Sequence, residues 1–451
     1  MQNNFINRKL ELDILNRLYK SNKAELVIVY GRRRIGKTML LNKFLEGKNG
    51  FYYLATEEDI NYQIKELAEK TKEKTNIYGS PKFKEFFEVI AKRFSNERFV
   101  IILDKTQYLA KSYTPFTSVL QKLWDEHLSK SKVMLILSGS SIGFAKQSLL
   151  GTSSPLYGRR TSEIKIKEIN ITDYFRGWKK PNWENYLISG GVPYYWNFSE
   201  NGVKDCLNNF YLGKPLYNEG LNIIKDELPN SRIYLSILSV LSKGPQKLSG
   251  ISSELSIEMT TLSKYIAELK LLEIIDRESP VFGGRNVYYI KDNLLATWFL
   301  ANKILKEAIE SRYEMNEEDW VLVRKQINTN LGFFFEKEIK KIIIQKNILN
   351  FKPDKIGRQW GKTEKTKETY EIDIVAINKK IKELVLGEVK WKEKVNAEEL
   401  ASKLHKKSVN IKWLKEERNE YYILFAKSFK NKITKYAGIP VKCFDLKELQ
   451  K

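Results

Sequence analysis

The sequence predicts an α/β fold with a doubly wound parallel sheet at its N-terminal end. A helical lid, a winged helix and a second α/β domain are expected to follow. Three observations predict this order. Short apolar runs alternate with helical segments over residues 1–169. One of those runs leads directly into Gly31-Arg32-Arg33-Arg34-Ile35-Gly36-Lys37-Thr38. Beyond residue 230 the pattern changes, first to three helices with two short strands, then to long strands carrying acids. The expected domains are 1–169, a lid over 170–230, a winged helix over 231–292, a helical connector over 293–327 and a last domain over 328–451.

Bulk properties narrow the function classes. The 451 residues, 42% hydrophobic and 29% charged, can build more than one core. No apolar run approaches a membrane span, and the first residues carry no signal pattern, so no membrane partner and a cytoplasmic setting are expected. The two cysteines, Cys206 and Cys443, are far apart, and His127 and His405 are the only histidines. A disulfide framework or thiolate zinc site is therefore not indicated, and a His-rich metal site is excluded. The net charge is +23. Residues 331–451 hold about 29 Lys and Arg against 17 Asp and Glu, roughly +12 in the last quarter. Such a concentration of charge predicts a polyanionic partner, DNA above all.

The Gly31–Thr38 stretch has the spacing of a P-loop: Gly, four residues, then Gly-Lys-Thr. The apolar run Leu26-Val27-Ile28-Val29-Tyr30 precedes it, and Met39-Leu40-Leu41 opens a helix after it. Backbone N–H groups from Gly31 through Thr38 can cradle phosphate oxygens at a helix N-terminus. Lys37 would reach the terminal phosphates of ATP, and the Thr38 hydroxyl would ligate Mg²⁺. A second strand is expected at Phe51-Tyr52-Tyr53-Leu54, followed by charged helices over 57–95. The run Phe99-Val100-Ile101-Ile102-Leu103 then closes on Asp104, the Walker B pattern, whose acid can orient Mg²⁺. After a helix around 115–128, the strand Val133–Leu137 ends in Ser138, a candidate sensor of the terminal phosphate. Gly158-Arg159-Arg160 precedes a fifth strand at 162–169, and Arg159 or Arg160 suits an arginine finger. These elements describe a doubly wound parallel-sheet P-loop ATPase core.

Residues 170–230 read as a helical lid with a marked turn at Gly190-Gly191-Val192-Pro193. Helices at 233–241, 248–255 and 260–272, with strands at 274–277 and 287–290, spell a winged helix. Thr260, Thr261, Ser263 and Lys264 would face DNA, with Arg285 on the wing. In the last domain Asp373 is followed by Glu388-Val389-Lys390, with Glu388 and Lys390 on one strand face. This is the PD-(D/E)xK pattern of a nuclease-like domain. Asp373 and Glu388 would hold Mg²⁺, with Glu336 completing the acids and Lys390 orienting water or stabilising charge.

Taken in order, the P-loop, Walker B strand, Gly158-Arg159-Arg160, Gly-Gly-Val-Pro turn, winged helix and tail resemble the archaeal ATPase family. That family is related to the AAA+ and STAND ATPases, and its longer members carry a C-terminal PD-(D/E)xK-like domain. The resemblance implies Phe5, Ile6 and Arg8 beside the adenine and Lys37 and Thr38 on phosphate and Mg²⁺. It also implies Asp104 on Mg²⁺ and Arg159 or Arg160 as finger. One position departs from the family: its Walker B strand ends Asp-Glu, and here Lys105 follows Asp104. A protonated lysine cannot activate water. Either Glu57 or Glu58 substitutes, or the chain binds ATP and hydrolyses it slowly. The expected function is ATP binding that controls nucleic-acid engagement. The alternatives are a STAND-like switch with a protein partner or a homo-oligomer, and an ATP-regulated Mg²⁺-dependent nuclease.

Overall fold

A computed structural model describes residues 5–211, 213–228, 231–304, 317–363 and 368–450. The chain divides into two compact units. The first comprises Met1–Lys179 with the returning segments Gly191–Asn197 and Lys225–Pro229; the second comprises the rest. The stretch expected as a lid is thus shared between them.

The first unit is built on strands β1 (Glu25–Tyr30), β2 (Gly50–Leu54), β3 (Phe99–Asp104), β4 (Val133–Gly139) and β5 (Ser162–Lys165). They form one parallel sheet in the order β2-β3-β4-β1-β5. Strands β1, β3 and β4 are buried along their whole length, which explains why they read as unbroken apolar runs. The β1-to-β2 connection runs one way across the sheet and the others run back. Right-handed crossovers therefore put the Lys37–Leu45 helix on one face and the helices between β2 and β5 on the other. The N-terminal helix Lys9–Lys20 joins the first face, where Tyr19 meets Phe44 edge to face at 6.3 Å. The opposite face carries an apolar core that runs from Leu26 and Ile28 through Phe86, Phe87 and Ile90 to Leu120 and Leu123. Because β4 separates β1 from β3, the P-loop and Asp104 face each other across the end of one strand. Ligands of open α/β sheets sit at this carboxyl edge, where the winding reverses.

The second unit begins its C-terminal part with helices Arg232–Leu241, Leu248–Leu255 and Met259–Leu271. Strands β6 (Gln246–Lys247), β7 (Ile275–Glu278) and β8 (Val287–Ile290) form an antiparallel sheet in the order β6-β8-β7. This is the arrangement of a winged helix. An almost wholly buried helix, Asn293–Ile304, leads towards the long helix Glu317–Gln345.

The remaining strands are β9 (Lys355–Lys362), β10 (Thr369–Asn378), β11 (Glu383–Lys390), β12 (Val395–Asn396), β13 (Asn419–Ala426), β14 (Phe429–Asn431), β15 (Lys435–Tyr436) and β16 (Ile439–Phe444). Six of them make a mixed sheet, β15-β16-β13-β11-β10-β9, and the helix Ala397–Ser408 covers it. Strands β10 and β11 pair antiparallel, with Ile374 opposite Gly387.

The wing does not stand free. Val281 and Phe282 at its tip belong to the apolar core of the mixed sheet. Val281 N donates to Arg358 O at 3.1 Å, and Phe282 N donates to Gln359 Oε1 at 2.9 Å. Trp360 Nε1 donates to Arg285 O at 3.2 Å, while the Arg285 side chain stays exposed. Arg358 also joins Glu278 of β7 to Glu336 and Glu371. Two apolar residues at a wing tip are suited to protein, not to a phosphate backbone.

Gly50 shows how tightly β2 and β3 approach. A methyl group there would lie 2.2 Å from Val100 O, where neither backbone can retreat. Gly50→Ala is expected to destabilise the chain by about 2–4 kcal/mol. A urea unfolding midpoint unchanged from wild type would contradict this packing.

Candidate functional site

The P-loop leaves β1 with Gly31 at φ 155°, where a Cβ would sit 2.6 Å from Ile166 O. Gly36 at φ 97° then turns the chain into the Lys37–Leu45 helix. That helix has no side-chain cap at its N-terminus, which leaves its first N–H groups available to an anion. Lys37 is buried, and its Nζ donates to Gly31 O at 2.7 Å and to Arg32 O at 2.8 Å. Burial brings the ammonium down to about 8, against the opposing pull of Asp104.

Asp104 gathers the other half of the site. Thr38 Oγ1 donates to Asp104 Oδ2 at 2.8 Å, Tyr52 OH donates to the same oxygen at 2.7 Å, and Lys105 N donates to Oδ1 at 2.9 Å. Burial alone would raise this carboxyl, but the donors outweigh it and hold Asp104 below the usual carboxylate range. Ser138 is fully buried next to Asp104, where its hydroxyl helps hold that carboxyl down. The donor set suits a nucleoside triphosphate with Mg²⁺: uncapped amides and Lys37 for phosphate, Thr38 and Asp104 for the ion, and a buried hydroxyl at Ser138.

Arg8 and the P-loop arginines act mainly as fasteners. Arg8 Nη2 donates to Ile35 O at 2.9 Å and its Nη1 to Lys167 O at 2.8 Å, so a buried guanidinium ties the N-terminus to the loop. Phe5 is half-buried and Ile6 buried alongside it. Arg32 lies 3.9 Å from Glu168, Arg33 pairs with Asp226 at 2.6 Å, and Arg34 stacks over Tyr194 at 4.0 Å.

Arg159 and Arg160 occupy the other end of the sheet. Thr161 N donates to Leu26 O, so the pair sits beside the first residues of β1. Six residues of strand separate that edge from the P-loop, about 17 Å. Arg159 is held by Asp125 at 2.8 Å, and Arg160 donates to Leu150 O at 3.0 Å. Within one chain neither reaches the phosphate site, so a finger role requires a second copy.

Lys105 adopts the left-handed conformation at φ 55°, and its ammonium lies 5.4 Å from the Tyr108 ring. Glu57 and Glu58 are both exposed, Glu57 near Lys111 at 3.7 Å and Glu58 accepting from Thr56 Oγ1 at 2.7 Å. Two participants escaped the sequence reading. Tyr52 lies on the strand beside Asp104, and only the sheet order reveals it. Glu227 comes from the returning segment and accepts from Ile142 N at 2.9 Å, Gly143 N at 3.2 Å and Ser141 Oγ at 3.0 Å. Burial raises its carboxyl despite those donors, and its charge is felt at Lys37.

In the second unit Asp373, Glu388 and Lys390 come together as their spacing predicts. Lys390 Nζ lies 3.0 Å from Asp373 Oδ2 and 2.8 Å from Glu388 Oε2. Lys407, on the helix Ala397–Ser408, binds the other Glu388 oxygen at 2.5 Å. Asp373 also accepts from Val389 N at 2.9 Å. Burial and the charge of Asp373 push Glu336 up to about 8 and raise Glu388. Among the described residues no three acids, cysteines or histidines are disposed to hold a metal ion. Lys390 and Lys407 between them take up Asp373 Oδ2 and both Glu388 oxygens.

Comparison with known proteins agrees with the first unit. A family model described as an ATPase domain predominantly from Archaea matches residues 5–194. A second, for archaeal and bacterial proteins of unknown function, matches residues 303–403. An uncharacterized protein of Methanocaldococcus jannaschii is 31% identical over 449 residues, spanning 95% of this chain and 97% of its own. An uncharacterized ATP-binding protein of the same organism is 64% identical over 44 residues, 10% of this chain and 75% of its own. The solved structure of a Walker-type ATPase of Pyrococcus abyssi superposes with a TM-score of 0.51 at 22% identity. That likeness covers 65% of this chain and 96% of that one. With the P-loop, Asp104 and the sheet order in place, the chain is a P-loop ATPase and belongs to the archaeal ATPase family.

Proposed function

We propose that the protein is an ATP-binding switch with slow hydrolysis, whose nucleotide state controls nucleic-acid engagement by its basic C-terminal half. One observation carries the nucleotide reading. Lys37, Thr38 and Asp104 converge from two strands at one sheet edge, with Thr38 and Asp104 2.8 Å apart. Thr38 and Asp104 would hold Mg²⁺, whose charge would offset that of the phosphates. Lys37 would exchange its bonds to the Gly31 and Arg32 carbonyls for phosphate oxygens. The Gly31–Gly36 amides would hold the phosphate chain.

Hydrolysis needs a group that orients water and accepts its proton. Lys105 stands where an acid would serve, and the neighbouring Glu57 and Glu58 are exposed and engaged elsewhere. Binding without brisk turnover follows. The nucleic-acid reading rests on the +23 net charge and on the exposed Thr260, Thr261, Ser263 and Lys264 of the Met259–Leu271 helix. The docked wing leaves that helix as the reading element. In the C-terminal cluster Lys390 and Lys407 neutralise Asp373 and Glu388, which favours binding over cleavage.

Two experiments test this function. Lys105→Glu is expected to raise ATP turnover at least tenfold, followed by phosphate release. Brisk turnover in wild type, unchanged by the substitution, would contradict it. Duplex DNA is expected to bind at low salt with affinity falling steeply as salt rises, by a log–log slope of about −0.9 per phosphate contact. No retention at low salt would sink the nucleic-acid reading.

A further inference from the structure

The P-loop surroundings are strongly positive: Arg32, Arg33, Arg34, Lys37 and Lys105 lie within or beside one loop. Asp104 supplies one opposing charge and is needed for the metal ion. Glu168 supplies a second, 3.9 Å from Arg32, and two more come from the segment Lys225–Pro229, which rejoins the ATPase unit far along the chain. Asp226 pairs with Arg33 at 2.6 Å. Glu227 is held by Ser141 Oγ, Ile142 N and Gly143 N, just past the Ser138 end of β4. Three donors on its two oxygens fix where that charge sits. From there the Glu227 charge acts on Lys37.

A polyphosphate would bring its own negative charge to the same few residues. Fixed carboxylates there oppose its arrival, most of all that of the phosphate nearest Lys37 and Ser138. We propose that Asp226 and Glu227 form an acidic clasp over the P-loop that stands in for phosphate charge in the nucleotide-free state and sets discrimination between ATP and ADP. The proposal rests on the nucleotide reading of the P-loop. Glu227 sits towards the terminal-phosphate side, through the loop after β4. Asp226 acts on Arg33, at the start of the loop, and on a side chain that is half exposed, so its effect is smaller.

The test is equilibrium binding of ATP and of ADP, with Mg²⁺, to the full chain and to Glu227→Gln and Asp226→Asn. Removing the Glu227 charge is expected to tighten ATP about tenfold and ADP about threefold or less, as for a unit charge several ångströms away. Asp226→Asn is expected to tighten both by about twofold, and its exposed side chain keeps the test open should Glu227→Gln fail to fold. Both gains should shrink at high salt, which a purely structural role would not produce. If wild type binds nucleotide but Glu227→Gln leaves the ATP-to-ADP ratio unchanged or weakens ATP, the clasp is overturned and the P-loop reading stands. If wild type binds neither nucleotide, the P-loop reading falls and the clasp with it.

Discussion

Asp104 places a negative charge at the end of a completely buried strand, 2% exposed, and the architecture around it follows from keeping that charge. An isolated buried carboxylate would take up a proton. Here donors come from three places: Thr38 at the start of the P-loop helix, Tyr52 on β2, and the Lys105 backbone. The first two depend on the strand order, which sets β3 beside β2 and one strand away from the P-loop. The same geometry confines Lys37 among carbonyls, burial pulling its ammonium down to about 8. The protein's own groups thus hold both charges in place at the sheet edge.

What was legible in the sequence was chemistry written in contiguous residues. The P-loop, the apolar run into Asp104 and the polar end of β4 at Ser138 each carry their own signal, and their order implied the extra strand between β1 and β3. The Asp373 and Glu388-Val389-Lys390 spacing likewise encoded a shared face across the β10–β11 hairpin. Tyr52 and Glu227 were not legible, because what makes them participants is the neighbour that folding supplies. Lys407 reaches Glu388 only because its helix covers the mixed sheet. Two further points were present in the sequence but needed strand direction and residue character to see. Arg159 and Arg160 precede a strand parallel to β1, so they fall at the edge away from the P-loop. Val281 and Phe282 mark the wing tip as apolar, and it is buried against β9.

The two halves of the chain answer different electrostatic demands. In the ATPase unit, basic side chains around the P-loop are met by Glu168, Asp226 and an aromatic ring, each an individual contact. In the C-terminal sheet the buried acids Asp373 and Glu388 are met by Lys390 and Lys407. A buried ion cluster closed in this way is costly to open, since removing a lysine strands a carboxylate. Among the described residues no helix is long and apolar enough to cross a membrane.

The central claim is that the Gly31–Thr38 site binds ATP firmly and turns it over slowly. The most direct measurement titrates the full chain with ATP and Mg²⁺ and follows phosphate release in the same sample. The predicted result is saturation at one nucleotide per chain, with phosphate appearing far more slowly than binding is complete. Absence of saturable binding, or phosphate release that keeps pace with binding, would contradict it.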